Sequence, residues 1–218
     1  MNVVVTTGPS HEPVDEVRRL TNFSTGELGV LLANQLAKSG CHVSCLRGVS
    51  ATYLGQVENC VELPFTTNDD LFAQLTRLSR EQRIDAVFHV AALCDFKVKT
   101  VENAEGAKLA SAKIDSRTDS LTIHLEPARK LIGDLRDLFP QATLVGWKHE
   151  LVGSRSDALA KAWRQLCENR TDACVLNGRA WGEVFALCTP PDQIHELRDK
   201  AEVAQFLPDW LKAYRAGR

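Results

Sequence analysis

Nowhere does the 218-residue sequence hold a run of about 18 apolar residues, so no transmembrane helix is expected. Net charge is nearly absent: 26 Lys and Arg stand against 28 Asp and Glu, a formal balance of −2. That excludes the broad basic footprint of a nucleic-acid binder and leaves room for a local basic pocket around a phosphorylated ligand. The G-x-G-x-x-G and G-x-x-x-x-G-K-[ST] phosphate motifs are both missing. Cysteine is odd in number: Cys41, Cys45, Cys60, Cys94, Cys167, Cys174 and Cys188 lie mostly in apolar runs. Cys41-x₃-Cys45 has no second pair to match it, which argues against a zinc site. The seven read as free, largely buried thiols of a reducing cytosol. The first residues have neither a basic start nor a long apolar core, so they read as a strand and not as a signal peptide.

What is present is globular. Hydrophobic residues make up 44% and charged residues 25%, and a chain of this length buries about 70% of its unfolded surface as one domain over 1–218. Strand-like and helix-like segments alternate. The strands expected are Val3–Thr6, Cys41–Leu46, Val61–Leu63, Ala86–Val90, Thr143–Gly146, Ala173–Leu176 and Val184–Cys188. The helices expected are Gly29–Lys38, Asp69–Gln82 capped by Asn68, Ala128–Phe139, Ser156–Glu168 capped by Ser154 or Ser156, and Glu196–Tyr214 with Pro208 as a candidate break. Residues 97–119 are polar and lysine-rich without a clear period. After them Leu121, Ile123 and Leu125 alternate with Thr122, His124 and Glu126, the pattern of a half-exposed strand. Strands separated by helices imply right-handed crossovers and an α/β fold with a mostly parallel sheet covered on both faces. Ligands in such sheets bind at the carboxyl ends of the strands. The loops after Val5, Val90, Val145 and Leu176 are therefore where chemistry is expected.

Five ordered motifs fall along the chain, in these loops, in the 97–119 segment and at the strands themselves. They are Glu12-Pro13-x-Asp15-x-Val17-Arg18-x-x-Thr21-Asn22-Phe23-Ser24-x-Gly26-x-x-Gly29, Ala91-Ala92-x-x-Asp95-Phe96, Lys113-Ile114, Gly146-Trp147-Lys148-x-Glu150 and Asp172-Ala173-x-Val175-x-Asn177. Together they resemble the signature of the phosphopantothenate–cysteine ligases, the synthetase half of the pantothenate-metabolism flavoproteins. The resemblance implies a Rossmann-like three-layer sandwich with an extra dimerisation strand or arm at about residues 97–126. It also implies a cytoplasmic ligase that joins 4′-phosphopantothenate to cysteine through an acyl-nucleotidylate, with ATP or CTP as co-substrate and Mg²⁺. Lys113 resembles the family's catalytic lysine, and Asn22 the asparagine that holds the acyl group. Nucleotide binding is implied for Gly8, Ser10, Ala92, Asp95, Trp147 and Lys148, substrate binding for Asn22, Phe23, Ser24 and Asn177, and metal binding for Asp95. Such members are typically homodimers built through the arm, here around Leu121, Ile123 and Leu125; no nucleic-acid or membrane partner is implied.

The chain also departs from the resemblance. Pro9 removes a backbone donor from the first loop, Glu27 stands where the family carries a basic residue, and Asp115-Ser116 replace two lysines. Lys113-Ile114-Asp115-Ser116 and Gly146-Trp147-Lys148 look closer to the ATP-using, eukaryotic type. Two other classes stay open. A nicotinamide-dependent oxidoreductase suits the sheet, but neither Tyr53 nor Tyr214 starts a Tyr-x-x-x-Lys motif. A non-catalytic nucleotide-binding relative would fit Glu27 and Asp115.

Overall fold

The computed structural model describes residues 1–109, 113–115 and 117–217. β1 (Asn2–Thr7) sends Val3 and Val5 to one helical layer and Val4 to the other, as a central strand buried on both faces must. The loop that follows contains a short antiparallel pair, β2 (His11–Pro13) and β3 (Arg19–Thr21). The sequence presents this stretch as plain loop, because strands of three residues carry too few positions to display a period. α1 (Glu27–Lys38) buries Val30, Leu32, Ala33 and Leu36. β4 (His42–Gly48) and β5 (Val61–Phe65) extend the sheet in parallel.

α2 (Asn68–Glu81) is capped by Thr67, whose hydroxyl accepts the Asp70 N–H at 3.1 Å. Asn68, the expected cap, is instead the first helical residue. It is buried, and its amide donates to the Cys94 and Arg129 carbonyls at 2.8 and 3.1 Å. β6 (Ala86–His89) comes next. β7 (Phe96–Glu102), in the segment read as aperiodic, pairs antiparallel with β8 (Thr122–Pro127) as a separate two-stranded arm. α3 (Leu131–Leu138) starts three residues later than expected: Ala128 donates its N–H to Asp95 O instead of opening the helix. β9 (Thr143–His149) and α4 (Arg155–Asn169) follow, the helix opened by a capping box between Ser154 and Asp157. β10 (Ala173–Gly178), β11 (Gly182–Thr189) and β12 (Gln193–Leu197) finish the sheet. β12 takes residues assigned by pattern to the last helix, so α5 begins only at Lys200 and runs to Ala216 without a break at Pro208. Val203, Leu207 and Leu211 bury fully in the core beneath α5, and that packing outweighs the hydrogen bond a proline removes.

The eight-stranded sheet has the order β12-β11-β10-β9-β6-β1-β4-β5. Five neighbouring pairs from β10 to β5 are parallel, and the β11–β12 edge is antiparallel. α1 and α5 cover one face; α2, α3 and α4 cover the other. This is the Rossmann-like α/β sandwich expected. The chain leaves β1 toward β4 on one side and returns to β6 on the other, so the carboxyl ends of β1 and β6 lie at the switch point of the strand order, where such sheets form a crevice. Burial pushes the Cys45 thiol up to about 12 and the Cys188 thiol up to about 11, so these act as packing groups and not as nucleophiles. No helix among the described residues is long and apolar enough to cross a membrane.

Candidate active site

The loops after β1 and β6 are stitched to one another. Gly8 has φ +77°, and a Cβ there would lie 2.8 Å from Ala51 Cβ, so only glycine lets the chain turn at this point. Ala92 N–H donates to Gly8 O at 3.0 Å and Ser10 N–H to Ala92 O at 3.1 Å. Ser10 is fully buried, and its hydroxyl accepts the Cys94 N–H at 2.9 Å. Gly8, Ser10 and Ala92 thus shape the floor of the crevice with backbone and a buried hydroxyl. Asn22 projects from the end of β3, and its amide donates to Leu93 O at 2.8 Å. Phe23 is wholly exposed, and Ser24 closes a tight turn on Asn22 O at 3.0 Å.

A second set of contacts draws in residues about a hundred positions away. Asp15 accepts the N–H groups of Val17 and Arg18 at 2.9 and 2.7 Å and pairs with the Arg18 guanidinium at 2.6 Å. Both side chains then grip Ile114: Asp15 Oδ2 accepts its N–H at 3.1 Å, and Arg18 donates to its carbonyl at 3.2 and 3.3 Å. Burial opposes the Asp15 charge, but the N–H groups of Ile114, Val17 and Arg18 prevail and hold its carboxyl below the usual range. Ile114 is buried, which fixes exposed Lys113 beside this loop.

Next to the crevice, between α3 and α4 and above the ends of β6 and β9, lies a cavity of about 560 Å³. Gly146 sits between the two helices, where a Cβ would come within 2.8 Å of both Gln165 Nε2 and Ile132 Cδ1. Asp95, Trp147 and Lys148 line the cavity together with His89 and Glu150. Glu150 is buried and accepts from Lys161 Nζ at 2.5 Å and Lys148 Nζ at 3.2 Å. Burial works against its charge, yet the two lysines hold its carboxyl below the ordinary range. His89 Nδ1 meets Thr6 Oγ1 at 2.9 Å, and burial drives its imidazole down to about 4, so the ring is neutral near pH 7. Arg129 and Lys130, just before α3, and Lys161 and Arg164 on α4 complete the wall. The arrangement suits a ligand with several negative charges.

The family model for the DNA/pantothenate metabolism flavoprotein C-terminal domain matches residues 1–213. The chain belongs to that family. It is 30% identical over 80% of its length to the coenzyme A biosynthesis bifunctional protein CoaBC of Thermococcus kodakarensis, of which it covers 40%. It spans about two fifths of the length of the curated CoaBC relatives it matches first. Among solved structures, the DNA/pantothenate metabolism flavoprotein from Streptococcus pneumoniae superposes with a TM-score of 0.87 at 22% identity, covering 98% of this chain and 99% of that one. A Cab2 mutant in complex with phosphopantothenate-cysteine gives 0.76 at 19% identity, covering 99% and 86%. At these identities the superpositions speak for the fold.

Within this family member the residues expected from the sequence fall into two groups. Asp95, Trp147 and Lys148 share the cavity. Gly8, Ser10, Ala92 and Asn22 belong to the stitched loops, with Lys113 brought to them through Ile114. Asn177 does not line the cavity, but its carbonyl accepts the N–H of Glu150, which does, at 2.8 Å. Glu27, the acid in the phosphate-loop helix, pairs with Lys200 at the start of α5 at 2.5 Å, and Asp115 pairs with Arg117 at 2.8 Å. Ser116 lies outside the described residues. Sequence reading did not single out His89, Lys161 or Arg164. The last two stand three apart on α4 among other polar residues, a spacing that reads as an ordinary solvated face.

Proposed function

We propose that this chain is a phosphopantothenate–cysteine ligase of coenzyme A biosynthesis. Its CoaBC relatives are bifunctional proteins of that pathway, and the matched Cab2 structure holds phosphopantothenate-cysteine. One observation carries the reading: Asp15 and Arg18 fix the Lys113–Ile114 segment against the loop that bears Asn22, beside a cation-lined cavity.

The reaction asks for that arrangement. A carboxylate is a poor electrophile until one of its oxygens is joined to a good leaving group. In the first step the phosphopantothenate carboxylate attacks the α-phosphorus of ATP or CTP, a P–O bond forms, and pyrophosphate leaves. In the second step the cysteine amine attacks the acyl carbon, an amide forms, and the nucleoside monophosphate leaves with the bonding pair. Both steps gather negative charge on oxygen, so fixed cations and donors count for more than a strong base. Lys113 neutralises charge on the α-phosphate and the tetrahedral oxyanion. Asn22, exposed at the crevice, donates to and accepts from the acyl group, with Phe23 and Ser24 beside it and Asn177 at the far rim. Gly8, Ser10 and Ala92 shape the crevice, and Asp95, Trp147 and Lys148 contact the nucleotide.

Asp95 fits a magnesium ion: its side chain forms no ion pair among the described residues and offers oxygen donors at the cavity mouth. When bound there, the ion neutralises phosphate charge. ATP is the nucleotide favoured by the Lys-Ile-x-Ser and Gly-Trp-Lys sequences. The working form is a cytoplasmic homodimer joined through the β7–β8 arm.

Pyrophosphate release with ATP and CTP in parallel, with phosphopantothenate and with or without cysteine, tests the reading. Release that needs phosphopantothenate, and amide formation that needs cysteine, are expected. No release from either nucleotide would leave a nucleotide-binding relative without this activity.

A further inference from the structure

α2 contributes no residue to the wall of the α3–α4 cavity, yet two of its side chains hold that wall in place. Asn68, its first residue, is 2% exposed. The Asn68 amide donates to Cys94 O at 2.8 Å and to Arg129 O at 3.1 Å. Both acceptors lie outside the helices and strands, where no backbone ladder fixes them. Cys94 and Arg129 line the cavity, as do Asp95 and Lys130, which follow them. Ala128 N–H donates to Asp95 O at 2.9 Å, so the loop after β6 and the segment entering α3 are tied at more than one point. The Asn68 backbone N–H in turn donates to Glu12 Oε1 at 3.3 Å, and Glu12 is buried in β2.

Phe72 stands one turn further along the same face of α2. The Arg129 guanidinium carbon lies 3.4 Å from the centre of the Phe72 ring, and Arg129 Nε donates to Asp134 at 2.7 Å. A planar cation laid on a ring face and bonded to a carboxylate has few other orientations open to it. Arg129 is thereby fixed at both ends, its carbonyl by Asn68 and its guanidinium by Phe72 and Asp134. Thr67 already caps α2, which frees the Asn68 side chain for this contact. Asn68 Oδ1 is buried without a hydrogen-bond partner among the described residues, a cost to stability. The two donated bonds are set against that cost, and both end on the cavity wall.

We propose that Asn68 is a positioning residue of the ligase reaction that acts without touching a ligand: its amide fixes Asp95 and Arg129 relative to each other, and Phe72 aims the Arg129 guanidinium. The presence of a nucleotide in that cavity rests on the reading given under the proposed function; the clamp itself is a feature of this chain's own packing.

ATP binding by isothermal titration and steady-state pyrophosphate release, both on the full chain, test the assignment. Asn68→Ala should weaken ATP binding and raise the KM for ATP about tenfold, the scale of losing a group that orients a ligand-binding side chain, while the KM for phosphopantothenate moves less than about twofold. Phe72→Leu should show the same split, and Phe72→Tyr, which keeps the ring face, should recover it. A merely structural Asn68 predicts a lower urea midpoint and a smaller folded fraction, with ATP affinity and both KM values unchanged in the protein that folds. Unchanged ATP affinity in folded Asn68→Ala therefore overturns the proposal. Should that variant fail to fold, no loss in Phe72→Leu, or an equal loss in Phe72→Tyr, overturns it instead. ATP affinity that follows these substitutions in a chain that releases no pyrophosphate keeps the clamp and removes the ligase reading. Pyrophosphate release with a KM for ATP untouched by them does the reverse, and a wild type that binds no ATP removes both.

Discussion

Asp15 and Ile114 stand 99 positions apart, yet the Asp15 carboxylate accepts the Ile114 backbone N–H at 3.1 Å. With Arg18 on the carbonyl of the same residue, the contact anchors the segment that carries Lys113. The first prediction follows from this chain of contacts. Lys113→Gln should fold and lose about 10²–10³ in kcat, the cost of removing one transition-state charge partner. Asp15→Ala should lose a comparable factor through misplacement of Lys113. Combining the two should cost no more than Lys113→Gln alone, because residues that act through one another are not additive. Losses that multiply in the double variant would separate Asp15 from Lys113.

A second prediction concerns His89. Its native pKa lies near 4, below the ordinary 6.5, because burial disfavours the charged ring. Between those values the unfolded chain takes up a proton that the folded chain refuses. Stability is therefore full above about pH 6.5 and falls as pH drops toward 4, by about 3 kcal/mol at most from this group. Urea midpoints measured across this window for wild type and His89→Gln should show a shallower acid slope in the variant. Equal slopes would mean that burial does not lower the native pKa of this ring.

The sheet was legible because its central strands are short apolar runs and its helices repeat every three to four residues; Val3–Val5 and Leu71-Leu75-Leu78 announce themselves. β7 was not. Val98 and Val101 are three apart, which fits no strand period, and only the bulge between Val98 and Thr100 returns both to the face opposite Leu125 and Ile123. β12 hid for another reason: Gln193–Glu196 are all exposed, so an edge strand there has no buried side to pattern. In the site, the motif residues of the loops could be quoted from sequence, but the clasp of Lys148 and Lys161 by Glu150 joins β9 to α4. Nothing in a solvated helical face announces which of its charges a distant carboxylate will gather.

The third prediction is the choice of nucleotide. Gly146-Trp147-Lys148 places a large aromatic and a cation at the cavity, and Lys113-Ile114 is followed by Asp115 instead of further lysines. Both features resemble the ATP-using type, so kcat/KM should favour ATP over CTP. A clear preference for CTP would remove that reading while leaving the ligase assignment untouched.

The last prediction is quaternary. β7 and β8 form a two-stranded sheet apart from the main one, and such a pair is marginal by itself. One face is polar, with Lys97 3.6 Å from Glu126 and His124 3.1 Å from Glu102. The other pairs Val98 with Leu125 and Val101 with Ile123. On or beside that strand Leu121, Ile123 and Leu125 remain 39%, 37% and 46% exposed, and Phe96 is 53% exposed. An apolar face on an exposed arm is stabilised by a self-complementary partner, and a two-fold axis supplies one by setting the arm against its own copy. Light scattering should therefore report twice the 24.1 kDa chain mass. Ile123→Glu places two like charges near the axis and should yield a folded monomer with its helical signal intact. If the arm also completes the neighbouring site, that monomer loses ligase turnover along with its partner. A monomeric wild type, or a folded Ile123→Glu that stays dimeric, would move the interface elsewhere.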